Sequence, residues 1–257
     1  MHRPLFAILG CALLALSLGA CSIAQEEPLQ PAAAKQLTTE AKDLWRDGQL
    51  SQATAKLEAA LEAEPDYTPA HQLLAVVLQQ QGNLDDAVEH YWAVQRASFP
   101  ALSPEATEDE TRLRELLIQS EGLLCLLTNK ERMERKLQPY LPDPILAVIA
   151  RQHSDEMRDL DYFSHDSPVE GYRTIKDRFL RVFERPRSYS IGENIACKYG
   201  RGIYSLNADN IHDTHQGWMD SPGHRANILS DGFEKIGIGV AANDNGDYWA
   251  TQFFARY

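Results

Sequence analysis

Residues 218–229, Trp218-Met219-Asp220-Ser221-Pro222-Gly223-His224-Arg225-Ala226-Asn227-Ile228-Leu229, decide the reading of the C-terminal half. Ahead of them stands Gly192-Glu193-Asn194-Ile195-Ala196, and behind them Ile236-Gly237-Ile238-Gly239-Val240. In that last piece Ile236, Ile238 and Val240 alternate, Asn243-Asp244-Asn245-Gly246 makes a turn, and Tyr248 to Phe254 alternates again. An Asn-Gly between two alternating runs is the strongest local hairpin signal, because a tight turn with positive φ matches the twist of the strands it joins. Further upstream, Asp143-Pro144 reads as N-cap and first helical residue, and Leu146, Ile149, Ala150, His153 and Met157 follow on one helical face. His153 lies on that apolar stripe and reads as a structural core histidine. Residues 118–257 are thus expected to form one mixed domain of helices and strands.

The segment 34–100 repeats itself. A shift of 34 places lays Ala41 on Ala75, Leu44 on Leu78, Gly48 on Gly82, Leu50 on Leu84, Ala53 on Ala87 and Leu57 on Tyr91. This period and pattern resemble two tetratricopeptide repeats. Small residues let paired helices approach closely, and Gly48 and Gly82 supply the left-handed backbone that ends the first helix of each pair. Two repeats are fewer than the three usually needed to bury a continuous face, so a cap is required. Glu108 to Ser120, with Leu113, Leu116 and Leu117 at helical spacing, is the expected capping helix, residues 101–117 being assigned as the capping and connecting segment ahead of the next domain, and Gly122 is expected to break the helix from the next one.

At the start of the chain, His2 and Arg3 precede an apolar run from Leu5 to Leu18. The run is shorter than the roughly 20 residues that span a bilayer and fits an export signal over residues 1–20. Its end, Leu18-Gly19-Ala20-Cys21, resembles a bacterial lipobox, in which the chain is cut before Cys21 and that cysteine is lipidated. Residues 21–33 then read as a tether. The expected location is the bacterial cell envelope, extracytoplasmic and held to the membrane through the lipid anchor. The full chain of 257 residues has 37 acidic against 25 basic side chains, a formal charge of −12, which argues against nucleic acid as a partner because a phosphate backbone needs a basic face.

Standard catalytic strings are missing from the sequence: it has no Gly-x-Ser-x-Gly, no His-Glu-x-x-His, no Walker loop and no Cys-x-x-Cys. His212 and His215, three apart on an expected helix, lack a third ligand nearby and read as a solvated polar face. Cys125 and Cys197 are the two thiols left to the folded part, and either one disulfide or two separately buried cysteines fits them.

The islands Leu127-Thr128-Asn129-Lys130-Glu131-Arg132, His153-Ser154, Tyr162-Phe163-Ser164-His165-Asp166-Ser167-Pro168 and the three pieces quoted first occur in a fixed order. This succession resembles the CAP superfamily, also called SCP or pathogenesis-related-1-like, in its bacterial form. The resemblance implies an α+β fold: an α-β-α sandwich CAP domain with a mainly antiparallel sheet and an open cleft, preceded here by the all-α tetratricopeptide-like region. It also implies a cleft lined by His165, Glu193 and His224. Two neutral imidazoles and a carboxylate with an open fourth position suit Zn or another divalent metal, and the same groups suit an acid/base pair without metal. Many family members carry a second glutamate where this chain has Ser221. Asp220 is adjacent, but neighbouring helical residues point about 100° apart and one does not replace the other.

Three functions follow as expectations. The first is binding: the cleft takes a small apolar, lipid- or sterol-like ligand or a divalent metal, while the helical repeats dock a protein partner. The second is a metal-dependent, protease-like hydrolase using His165, Glu193 and His224. The third is a structural envelope adaptor with a vestigial cleft.

Overall fold

The computed structural model describes residues 31–184, 186–200 and 205–257. The expected export signal and Cys21 lie outside the described residues. Among those described, no helix is long and apolar enough to cross a membrane.

Four helices come first: α1 (Pro31–Arg46), α2 (Leu50–Ala63), α3 (Thr68–Gln81) and α4 (Leu84–Ser98). The expected tether therefore ends sooner than residue 33. Pro31 fits the first helical turn and Ala32, Ala33 and Ala34 are strong helix formers, so the chain is already helical there. α1 packs on α2 and α3 on α4, as two repeats require. Gly48 and Gly82 have φ of 75° and 86°, the left-handed conformation that lets each first helix stop and turn. Ala53 and Ala87 are fully buried at the close contacts.

α5 (Glu108–Glu134) departs from expectation. It runs unbroken through Gly122 for 27 residues, so the boundary expected between residues 117 and 118 falls inside a helix. Gly122 is not a breaker. Its missing side chain makes room for the indole of Trp92 from α4, since a Cβ there would collide with Trp92 Cδ1. The N-terminus of α5 is fixed by a capping box between Thr107 and Glu110.

After α5 come β1 (Leu141–Pro142), α6 (Pro144–Asp159), α7 (Ile175–Val182), β2 (Ser190–Lys198), α8 (Ala208–Asp220), α9 (Pro222–Ile228), β3 (Lys235–Ala242) and β4 (Tyr248–Arg256). The Asp143 carboxylate accepts from the amides of Ile145 and Leu146, which confirms it as the N-cap of α6. The sheet order is β1-β3-β4-β2, parallel only between β1 and β3. Side chains alternate across it. Phe253 packs with Leu146 and Ile149 of α6 and Phe179 of α7. On the other face Ile236, Ile238 and Phe254 join Leu124 of α5, Trp218 of α8 and Ile228 of α9. The arrangement is the expected α-β-α sandwich. Gly237 and Gly239 let α6 lie directly on β3, where a Cβ at either position would strike the helix backbone.

Two buried polar clusters join the repeats to the sandwich. Tyr91 donates to Gln79 within the repeats, and Asn129 of α5 donates to both the Tyr91 hydroxyl and the Tyr140 carbonyl. The second is Glu121 of α5, which accepts from Arg151 of α6 at 2.9 and 2.5 Å and from the Val240 amide of β3. Arg151 also donates to the carbonyl and hydroxyl of Ser98, at the end of α4. Burial pushes the Glu121 carboxyl up to about 7, against the pull of Arg151.

Gly122 provides a test by sign. In an open helix interior Gly→Ala stabilises by roughly 0.5–1 kcal/mol. With Trp92 in the way, Gly122→Ala should instead destabilise by about 1–3 kcal/mol in urea denaturation.

Candidate functional site

The site forms where the loop after α6, the edge strand β2 and the α8–α9 corner meet. β2 pairs with β4 from Ser190↔Arg256 to Lys198↔Tyr248 and has no strand on its other side among the described residues. Odd-numbered side chains of β2 point to the α6 face, so Glu193 faces the loop that carries His165 and the helix that carries Arg178.

Glu193 is the centre. Its side chain is 3% exposed, and both oxygens are engaged: Oε1 with His165 Nδ1 at 2.9 Å, Oε2 with Arg178 Nη2 at 2.6 Å. Arg178 is equally buried and also donates to the carbonyls of Tyr172, Arg173 and His165, so it is locked in place. Burial alone would raise the Glu193 carboxyl, but the hydrogen bond from His165 and the charge of Arg178 carry it below the usual carboxylate range. The Glu193 hydrogen bond raises His165 above the ordinary imidazole value. His224, half-buried at the start of α9, is moved the opposite way, by burial and then by the neighbouring charge of His165. Its ring makes no hydrogen bond with either partner among the described residues.

The structure thus brings His165 and Glu193 into contact and sets His224 nearby, on the other side of the β2 rim. Arg178 is the member of the candidate site that sequence reasoning missed. A signal for it exists: Ile175, Arg178 and Phe179 have the i, i+3, i+4 spacing of one helix face, and a charge on an inward-turned apolar face needs a buried partner. His153, read as structural, is fully buried and holds the Ser164 carbonyl at 3.1 Å, with its Nε2 3.9 Å from Glu193. Asn194 ties the site to α9 by donating to the His224 carbonyl.

The donor set does not fit a divalent metal. Glu193 is neutralised by a guanidinium and has no free oxygen, the place of a second carboxylate is Ser221, and the exposed Asp220 bonds Gln216 instead. Among the described residues no group of three His, Cys, Asp or Glu side chains could hold such an ion. The other histidine pair is corrected as well. His212 is exposed, but His215 is buried against α5 with neither ring nitrogen hydrogen-bonded, and burial lowers it to about 4. The face is not solvated because Ile211, Thr214, His215 and Trp218 all turn inward. Cys125 and Cys197 are both free.

Beside these groups, a cavity of about 380 Å³ follows β2 from Ile195 to Lys198, with Phe163, Trp218 and His224 among its walls. Burial raises the Cys197 thiol, which keeps it a poor nucleophile.

The profile of the cysteine-rich secretory protein family, CAP, matches residues 126–254, and a tetratricopeptide repeat profile matches residues 44–94. The chain belongs to the CAP family. Its CAP domain begins within α5, and the two helix pairs ahead of it form a tetratricopeptide-like helical region. Two Bacillus subtilis (strain 168) proteins are similar: the uncharacterized protein YkwD, 31% identical over 165 residues, and the uncharacterized membrane protein YlbC, 30% identical over 156. The matches cover 62% and 61% of this chain, and it spans only 56% and 40% of those relatives. Among solved structures, an extracellular protein containing a SCP domain from Bacillus anthracis str. Ames is 29% identical with a TM-score of 0.47, covering 63% of this chain and 48% of that one. An outer surface protein from Borrelia burgdorferi is 14% identical with a TM-score of 0.44, covering 54% and 92%.

The pairing at Glu193 predicts a rescue. Arg178→Met leaves a buried carboxylate without its cation and should cost about 3–5 kcal/mol, as broken buried pairs do. Adding Glu193→Gln removes the stranded charge, so thermal melting of the double variant should recover most of that loss.

Proposed function

We propose that the CAP domain is a binding module: its cleft holds a small, largely apolar ligand without turning it over, the helical repeats dock a protein partner, and acylated Cys21 tethers the exported chain to the outside of a bacterial membrane. The observation that carries the ligand reading is the cavity on the rim of β2, where the exposed Phe163 ring offers apolar surface beside the polar His224 and the buried Ile195 and Trp218 form the floor. Mostly apolar walls with a few polar groups are the usual composition of a ligand site. Support for binding without turnover comes from the nucleophile inventory. Burial raises the Cys197 thiol, which disfavours the reactive thiolate, and Ser221 makes no hydrogen bond with His224 among the described residues. The repeat match supports a docking surface, as such repeats commonly expose a concave face to partners.

Native mass spectrometry of the full-length protein tests the cleft. An added C12 fatty acid should bind, and Gly217→Leu should abolish binding while the melting temperature holds. A Cβ at Gly217 meets nothing within 4 Å, so the longer side chain fills the cleft rather than the core. Retention of the fatty acid by this variant would place its site elsewhere.

A second reading rests on the opposed shifts of His165 and His224. Titratable groups pushed apart by their surroundings are the mark of an acid/base pair, with His165 the imidazolium and His224 the neutral base. In an NMR titration His165 should titrate above about 6.5 and His224 below it. The bond from protonated His165 to Glu193 stabilises the fold fully below the unfolded value of about 6.5, and that contribution disappears as pH rises through the raised folded value. Glu193→Gln should bring His165 down and flatten this part of the stability profile. Equal titration of the two histidines would remove the catalytic reading.

A further inference from the structure

The rim of β2 is sealed over part of its length only. In an antiparallel pair, successive residues direct their N–H and C=O alternately toward the partner strand and away from it. Two outward carbonyls of β2 are capped by side chains: Asn227 Nδ2 donates to that of Glu193 and Trp218 Nε1 to that of Ile195, both at 3.1 Å. The next outward residue in this odd-numbered series is Cys197. Among the described residues, nothing beyond β2 bonds its N–H or C=O.

The cavity lies along this open stretch. Ile195 and Cys197 stand on the α6 face with Met157 and Trp249, whereas Lys198 stands on the opposite face and pairs with Asp213 of α8. Ile195, Ala196, Cys197 and Lys198 all line the same cavity. Consecutive strand residues alternate between faces, so they share one cavity only when it follows the edge of the strand. Across it, Gly217 leaves the α8 wall without a side chain.

We propose that the ligand of this cleft is an extended peptide segment, which adds to β2 as a further strand through the N–H and C=O of Cys197 and lays an apolar side chain against the exposed ring of Phe163. The inference rests on the cleft being a binding site and names its ligand class. A backbone edge is matched by another backbone, which supplies one acceptor and one donor at the spacing of a ladder. An acyl chain fills the apolar part and binds there, but it covers the Cys197 carbonyl without a donor, and that unpaired carbonyl makes it the weaker ligand.

The test uses the full-length protein and a pool of capped pentapeptides with a central phenylalanine, followed by amide NMR. The pool should shift the resonances of Ala196 to Lys198. Methylating the backbone nitrogens of one alternating set should weaken binding about tenfold, the loss of roughly one hydrogen bond. Methylating the other set, which faces away from β2, should change affinity less than about twofold, and Gly217→Leu should abolish binding. Equal effects of the two methylated sets, or none from either, overturn the strand pairing. If the C12 fatty acid binds in a Gly217→Leu-sensitive way and the peptides do not, the cleft remains a binding site and the peptide assignment fails. If neither binds, both fail.

Discussion

Glu121 is a carboxylate with no access to water, placed in the middle of the longest helix, and its needs organise the molecule. Taken alone its burial is strongly unfavourable, so it must collect compensating donors from whatever packs around α5. It takes two from Arg151 of α6 and one from the Val240 amide of β3. Arg151 has further protons to place and directs them to Ser98, at the end of the last repeat helix. One buried pair thereby fixes helix to helix, helix to sheet and repeats to sandwich. The two repeats, too few to stand alone, find their missing neighbour in α5, and the same helix is a layer of the CAP domain.

Glu193 repeats this logic at the functional end. Here too a buried carboxylate is held by a guanidinium, with an imidazole on its remaining oxygen. The pair stiffens the corner between α7 and β2, and Glu193 raises His165 while burial lowers His224. Arg178 supplies the positive charge that a metal would bring, so two of the three residues that suggest a zinc centre in the sequence, His165 and Glu193, form an organic ion cluster with it instead. Beside the cluster runs the outer rim of β2, where Trp218 and Asn227 act as a partial substitute for a strand.

Features carried by local chemistry were legible in the sequence. Gly48 and Gly82 announced their turns through a 34-residue period, Asp143-Pro144 announced a helix start, and the alternation around Asn245-Gly246 announced the hairpin. His165, Glu193 and His224 could be singled out only through a family resemblance, because nothing in their spacing brings them together. Whatever depends on a partner distant in sequence was misread or missed. Gly122 looks like a breaker until Trp92 is seen against it. His215 looks solvated until α5 covers it. Arg178 has the stripe spacing of a buried residue, but its counter-charge lies 15 residues away on a strand.

The continuity of α5 bears on how the two halves communicate. A helix of 27 residues is about 40 Å long, and this one passes from the repeats into the sandwich with no joint. A partner seated on the repeats and a ligand held at β2 would therefore be kept at a fixed distance and bearing, like two marks on a ruler. With no hinge to bend, occupancy of one surface has no domain rotation through which to reach the other. Any cooperation between them is a matter of local concentration: whatever docks on the repeats presents its neighbouring segments to the cleft again and again.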